Sequence, residues 1–363
     1  MKWFLFFLAT SFFASDCCSS CKPYEGVEGK LFSAPPYMGQ PSDPCGIFYI
    51  ADVSLLAWQA LVGGLEFALK NDPLPIQSNT NVNGHLIRPD FSWEPAVKID
   101  VRAVFANRAW DAAFRWTYFH SHPSRTVHAS LSPNTSGLYP LWAFPNDDMG
   151  AQFLYGSAKG SYELNFNGVD IEMGYHPLLS PAFSFRFITG LKVVQIEQEF
   201  HVHYSEGFNN GSEQLVSAHA DLSNASIGTG PRLGFASEWQ LGSGFSLLGS
   251  FTGALPLWHI RVNRNDTDQN IRASAPQTIN SLFRNRFWIF CAVLETALGC
   301  GWDTYFGCNN QYPFGIHASY EFQYYSEQNM MTMLVNPGIL NRSFMPRGDL
   351  ALHGATFTFR FGF

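Results

Sequence analysis

Two histidine pairs have the spacing that could bind a metal ion. His120 and His122 form one pair, and His201 and His203 form the other. A spacing of two places both imidazoles of a pair on one face of a β-strand. Facing pairs could hold a transition metal such as zinc. The alternative, which we favour, is that they are polar side chains at the rim of a sheet below long loops, so we predict neither a metal site nor a cofactor.

The sequence offers no catalytic machinery. No nucleophile context such as Gly-x-Ser-x-Gly occurs in it. The net charge is −7, the pI is about 5.9, and no basic run is present, which argues against binding of nucleic acid. We therefore predict that the protein is not an enzyme and has no nucleic-acid partner.

The cysteines favour disulfide bonds in an oxidising compartment. The chain has seven of them, and Cys17, Cys18, Cys21 and Cys45 lie near the N-terminus. The odd count leaves one thiol free or paired between chains. Because no histidine lies near the first three cysteines, we predict that they do not form a metal site. We expect them to form disulfides between chains, or between this N-terminal segment and the wall of the β-barrel predicted below.

The N-terminus is typical of an exported protein. Residues 1–15 combine Lys2, an apolar stretch and the small pair Ala14-Ser15, as in a secretory signal peptide. Residues 16–51 are rich in Cys, Pro and Gly and predict a periplasmic or lumen-plugging segment without regular structure. No later run reaches the length of a membrane-spanning helix, and charged residues are only 14% of the chain. The mean hydropathy of −0.06 suits a transmembrane barrel, because half of each strand faces a polar lumen.

The C-terminal stretch shows the strand pattern most clearly. Phe357, Phe359, Phe361 and Phe363 alternate with polar or small residues up to the last residue. In a closed barrel lipid takes the phenylalanine face, so we predict a transmembrane strand. The same four residues are the predicted barrel-assembly signal. The alternative is the last strand of a secreted soluble β-protein.

Similar alternation recurs along residues 52–363 and predicts an up-and-down antiparallel barrel of about ten strands, within a range of 8–14. Short connections, expected as periplasmic turns, alternate with long ones, expected as extracellular loops, at 71–90, 121–150, 205–223, 263–282 and 328–347. The apolar phase changes at Asn167-Gly168 and again near Val193, which predicts a β-bulge at the first position. Aromatic girdles are expected at Trp93, Trp110, Tyr175, Tyr204, Trp239, Trp258, Trp302 and Tyr325.

Charges within the strands lie opposite the apolar face and are expected in the lumen. The candidates for lumen or selectivity residues are Lys98, Asp100, Arg102, Arg115, Glu163, Glu172, Arg186, Lys192, Glu197, Glu199, Arg232 and Glu321. Charges of both signs could pair across a narrow lumen, or they could tune ion selectivity in a wet pore. Ten strands enclose little more space than eight. We therefore favour a narrow or partly plugged channel over an open porin.

Several sequence blocks, in their order, resemble the Legionella-type major outer membrane protein family, members of which also occur in chlamydia-related bacteria. The blocks are 110–120, 169–172, 185–198, 228–234 and 348–363, with Arg186-Phe187 standing where the family pattern suggests Arg-Pro. The resemblance covers about residues 52–363. It implies an outer-membrane barrel with a porin or surface role, and it supplies no catalytic residues. The cysteine-rich front resembles the disulfide-linked envelopes of chlamydial relatives.

Together these patterns predict an integral protein of the bacterial outer membrane that acts as a narrow, weakly selective porin for small polar solutes. One alternative is a surface adhesin or a disulfide-linked structural envelope protein that uses its long loops. A second alternative is a secreted soluble β-protein. The expected partners are outer-membrane lipid, the barrel-assembly machinery, and disulfide-linked copies of the chain or other envelope proteins.

Overall fold

The computed structural model describes residues 47–71, 84–105, 110–129, 137–143, 153–179, 182–209, 212–213, 217–272, 275–306, 312–335, 342–344 and 348–363. The predicted signal peptide and Cys17, Cys18, Cys21 and Cys45 lie outside these ranges, so their disulfides stay a prediction. The described residues form strands and connections and contain no helix. Among them, accordingly, no helix has the length and apolar character needed to cross a membrane.

The described chain forms antiparallel strands. In chain order they are β1 (Phe48–Val62), β2 (Ala68–Asn71), β3 (Gly84–Ile87), β4 (Glu94–Val104), β5 (Trp110–Ser121), β6 (Ser124–His128), β7 (Gly137–Pro140), β8 (Phe153–Leu179), β9 (Phe183–Asn209), β10 (Ser212–Glu213), β11 (Ser217–Gly242), β12 (Phe245–Ala254), β13 (Leu257–Arg272), β14 (Ala275–Phe290), β15 (Val293–Phe306), β16 (Tyr312–Asn329), β17 (Met333–Val335), β18 (Arg342–Phe344) and β19 (Gly348–Gly362). β1 thus begins before residue 52, where the barrel was expected to start.

Backbone pairing joins the first strand to the last. β1 pairs with β19 along one edge and with β4 along the other. The other long strands pair in the order β4, β5, β8, β9 and β11, and β15 pairs with β16, which pairs with β19. Between these two series, β11 pairs with both β12 and β13, β12 pairs with β15, and β13 pairs with β14.

The structure has more strands than the ten predicted. It describes 19 strands, and 17 of them belong to one sheet. Two long strands are each divided in two. Leu255-Pro256 separates β12 from β13, and Cys291-Ala292 separates β14 from β15. Short strands also lie in the connections. Strands also fill much of the predicted loops 205–223 and 263–282, where β9, β11, β13 and β14 continue. These stretches have polar outward faces, which the sequence pattern alone does not separate from loops.

The long strands reverse their polarity partway along. On β9 the outward side chains are mainly apolar as far as Val193 and polar from Gln195, with Glu197 following. The inward side chains include Arg186 and Lys192 on the first part of the strand, and they become mainly apolar from Val194 onward. We call the part of the sheet with an apolar outer face and a charged interior the lower half, and the part with a polar outer face and an apolar interior the upper half.

The predicted bulge at Asn167-Gly168 is wrong. β8 and β9 pair without a register shift from Ser157 opposite Ser205 to Tyr175 opposite Phe187. The apolar residues change phase because they change face, from the interior in the upper half to the exterior in the lower half. A polarity reversal and a bulge give the same sequence pattern, since each moves the apolar set by one residue.

The interior of the upper half is an apolar core. Trp58, Phe119, Tyr162, Phe200 and Trp258 are fully buried there. Tyr204, Trp258 and Tyr325 were predicted as girdle residues but lie in this core, because their strands extend into the upper half. The other predicted girdle residues are exposed, namely Trp93, Trp110, Tyr175, Trp239 and Trp302.

Candidate functional site

The interior of the lower half holds a network of paired charges. Arg186 on β9 is buried and donates two hydrogen bonds to Asp111 on β5, at 2.6 and 2.8 Å, and one to Glu172 on β8, at 3.1 Å. Arg115 lies 3.3 Å from Glu172 and 2.9 Å from Asp100. Glu172 therefore bridges two cations from the strands on either side of β8, which is the arrangement that lets buried charge persist.

The network continues across the next strands. Lys192 contacts Asp170 at 2.8 Å and Glu295 at 2.6 Å. Arg232 on β11 lies 3.2 Å from Asp170 and 3.1 Å from Glu172, and its guanidinium also donates to Glu295. Glu295 thus joins two cations that come from different strands.

Three further pairs line the side of the interior formed by β1, β4, β15, β16 and β19. Lys98 donates to Glu321 at 2.6 Å. Arg360 donates to Asp52 at 2.9 and 3.1 Å, and His317 lies 2.7 Å from Asp303. Charged residues from around the sheet line a cavity of about 230 Å³, among them Lys98, Asp100, Arg115, Arg232, Glu321 and Arg360. Its polar lining and its size suit water molecules and small hydrated solutes.

Most of the predicted lumen residues face this interior. They are Lys98, Asp100, Arg102, Arg115, Glu172, Arg186, Lys192, Arg232 and Glu321. Glu163, Glu197 and Glu199 do not, because they point outward in the upper half, above the reversal of polarity. The prediction that these three line the lumen is wrong. It assumed a single inward face of constant polarity along each strand.

Sequence reasoning missed Asp52, Asp111 and Glu295 as network members. Asp111 contacts His176 at 2.8 Å as well as Arg186, and is fully buried. A signal for Glu295 was present, since it is the one carboxylate within the apolar run 287–298. A carboxylate in such a run indicates an inward-facing charge with a partner.

Inner segments of the chain close the upper half above this network. Residues 65–67, 141–143 and 330–332 lie against the inner wall. The Tyr204 hydroxyl donates to the carbonyl of Phe67 and accepts hydrogen bonds from the backbone amides of Leu141 at 3.2 Å and Trp142 at 3.1 Å. The Trp142 indole donates to the Glu66 carbonyl at 2.7 Å. The wall thus holds two inner segments through one tyrosine.

Arg264 on β13 is the second anchor of the inner segments and is 1% exposed. Its guanidinium donates to the carbonyls of Thr332 at 2.9 Å and Trp142 at 2.7 Å. Its Nε donates to the Asp266 carboxylate at 2.8 and 2.9 Å. Arg264 therefore links inner segments from two parts of the chain to the wall.

The two histidine pairs lie apart from the charged interior. The His120 Nδ1 is 2.8 Å from the Asn165 Oδ1, and His122 is exposed. His201 contacts Asp221 at 2.5 Å, and His203 packs against His219 with 5.5 Å between ring centroids. No three histidine, cysteine or acidic side chains in the described chain are arranged to hold a metal ion.

The four C-terminal phenylalanines point outward on β19. Phe357, Phe359, Phe361 and Phe363 are all exposed. The Phe363 amide donates to the carbonyl of Tyr49 at 2.9 Å, and the two rings stack with 6.0 Å between centroids. The last residue is therefore fixed by backbone pairing to the first strand.

Comparisons with known proteins point to one family. A family model described as Legionella pneumophila major outer membrane protein precursor matches residues 49–363. No curated protein matches the chain.

Solved structures give distant likenesses. The outer membrane protease OmpT from Escherichia coli is 11% identical, with a TM-score of 0.38, covering 87% of this chain and 96% of that one. A Pseudomonas aeruginosa FadL homologue is 9% identical, with a TM-score of 0.29, covering 87% of this chain and 90% of that one.

Proposed function

Since the chain belongs to the family of the Legionella pneumophila major outer membrane protein precursor, we propose that its lower half crosses the outer membrane as a closed β-barrel. The proposal gives ten strands to that barrel: β1, β4, β5, β8, β9, β11, the interrupted paths β12–β13 and β14–β15, β16 and β19. The support is the pairing order, which leads from β1 through these strands and back to β1 through β19. A closed barrel leaves no unpaired strand edge in lipid.

The side-chain sorting supports the same placement. Outward residues of the lower half such as Leu55, Phe114, Ile171, Leu191 and Phe359 are apolar and exposed, while the charges point inward. In water this exterior would be a large apolar surface of the kind that soluble monomers avoid. In a bilayer it is the favourable face, and a cation placed there near the midplane would cost about 2–4 kcal/mol.

The function we propose is a narrow, weakly selective passage for small polar solutes. The observation that carries it is the cavity of about 230 Å³ in the charged interior of the lower half. Charges of both signs line it, so fixed charge would select weakly between cations and anions. The proposal assigns the protein no catalytic role.

A second candidate is a surface or structural role for the envelope. One observation favours it: the apolar core of the upper half fills the interior above the cavity, and Tyr204 and Arg264 fasten inner segments there. A passage must go through or around this core. If the core stays in place, the exposed upper half rather than the lumen carries the function.

Planar-bilayer recording of the purified barrel separates the two candidates. We expect small conductance steps with weak ion preference. Heat-modifiable migration on gels confirms that the sample is a folded barrel. A folded, inserted protein that stays silent across a range of voltages would refute the passage and leave the surface role. Recovery of folded protein from the periplasm without detergent would refute the membrane placement itself.

A further inference from the structure

Three arginines lie side by side on the outer face of the hairpin formed by β13 and β14. Arg261 is directly opposite Arg286, and Arg284 is opposite Asn263. All three arginines are exposed. Directly opposed residues of an antiparallel pair share a face and lie close together, and like charges in that position destabilise the pair.

Among the residues that the structure describes, no carboxylate pairs with these arginines, in contrast to the arginines of the interior. In the described chain no ion pair is seen for Arg261, Arg284 or Arg286, whereas Arg115, Arg186, Arg232, Arg264 and Arg360 each contact a carboxylate. The neighbouring strand β11 does not supply one either. Its residues paired with His259, Arg261 and Asn263 are Ile227, Ala225 and Ser223. An external anion would relieve the repulsion.

The position of the cluster shows where that anion would come from. One pair further down the hairpin, His259 is opposite Trp288, and their rings lie 4.7 Å apart. Below that, Leu257 is opposite Phe290. Trp288 and Phe290 are 65% and 64% exposed. The outer face therefore changes from apolar to aromatic to cationic within a few residues, which is the order that acyl chains, the interface and phosphate groups follow in a lipid leaflet.

We propose that Arg261, Arg284 and Arg286, with Trp288 beneath them, form a binding site for the phosphorylated headgroup of a lipid in the outer leaflet. Arginine suits this ligand because its planar fork binds phosphate oxygens in a bidentate manner. The inference rests on the proposed membrane placement of the lower half. It does not depend on whether the lumen conducts.

The test uses the full mature chain in nanodiscs and a triple variant, Arg261→Gln, Arg284→Gln and Arg286→Gln. The control is Arg88→Gln, Arg125→Gln and Lys159→Gln, which removes the same charge from other exposed positions. Native mass spectrometry counts bound lipid after titration with a bis-phosphorylated lipid or with a zwitterionic lipid. We expect the phosphorylated lipid to bind the parent and the control. Binding to the triple variant should be at least about tenfold weaker, since three interfacial cations are lost.

Several outcomes would overturn the proposal. One is equal binding of the phosphorylated lipid by the triple variant and the control, and another is equal binding of both lipids by the parent. Competition by inorganic phosphate alone at similar concentration would assign the site to a soluble anion. Binding of a soluble acidic polysaccharide with no preference for the lipid would assign it to a different partner. Failure of the parent to enter nanodiscs as a heat-modifiable barrel would instead refute the membrane placement.

Discussion

Arg264 donates a 2.7 Å hydrogen bond to the carbonyl oxygen of Trp142, a residue 122 positions earlier in the chain. The contact joins the sheet to a segment that packs in the interior of its upper half. Because Asp266 neutralises the same guanidinium, the anchor is a buried charge pair whose hydrogen bonds are satisfied on several sides. We therefore expect the pair to affect both the stability of the core and, if the lumen conducts, access to the cavity below it.

The first prediction concerns this anchor. Arg264→Ala should lower the unfolding free energy by about 3–5 kcal/mol, because it leaves the Asp266 carboxylate buried without a partner. It should also increase conductance, since Trp142 and Thr332 lose their attachment to the wall. Chemical denaturation and bilayer recording measure the two effects.

A matched control for that anchor is Arg125→Ala. Arg125 also pairs with a carboxylate, Asp90 at 2.9 Å, but on the exposed surface. Its removal should cost at most about 1 kcal/mol. If both variants lose the same stability, the burial of Arg264 has no special importance.

A second prediction addresses the charged interior. Glu295→Gln removes the carboxylate shared by Lys192 and Arg232 and leaves an excess of positive charge in the cavity. The ratio of chloride to potassium permeability should rise, as measured by the reversal potential in a salt gradient.

Glu199→Gln is the control for the interior, because that side chain points outward in the upper half. The same loss of one negative charge should leave the reversal potential unchanged. A shift of similar size in both variants would mean that overall charge, and not the lumen network, determines selectivity.

The third prediction tests the reversal of polarity on β9. Leu191 and Gln195 share the outward face of one strand, on either side of the change at Val193. Leu191→Lys should destabilise the protein in lipid by about 2–4 kcal/mol, and Gln195→Lys by about 0–1 kcal/mol. Unfolding titrations in lipid vesicles measure both free-energy changes. Equal changes for the two variants would mean that the membrane boundary does not lie at Val193.

The fourth prediction concerns the last residue. Deletion of Phe363, or Phe363→Asp, should lower the yield of heat-modifiable barrel in the outer membrane, because the terminal aromatic strand is the expected assembly signal. Phe363→Tyr keeps the ring that stacks on Tyr49 and should assemble normally. Normal assembly of the deletion would show that the signal lies elsewhere.

The sequence predicted the strands well where one face was lipid-like and the other charged. The pattern ending at Phe363 and the inward charges such as Arg186 were readable because alternation with a period of two identifies both faces. The prediction from alternation failed in the upper half. Glu197 was assigned to the lumen but points outward, and Tyr204 was assigned to an aromatic girdle but lies in the core. Periodicity shows that two faces differ, but it does not show which face is inside.

With the proposed membrane placement, the reversal of polarity along β8 and β9 would also act as a check on strand alignment during assembly. A slip of one residue would turn every side chain of a strand to the opposite face. In the lower half this would put Arg186 and Lys192 into lipid, and in the upper half it would put Ile196 and Phe200 into water. Both ends of a misaligned strand would be penalised at once, in two different solvents, so no local rearrangement at one end could rescue it. A uniform strand tolerates a slip of two residues, because each side chain stays on its face. Here the same slip would also move the residues beside Val193 across the change of polarity.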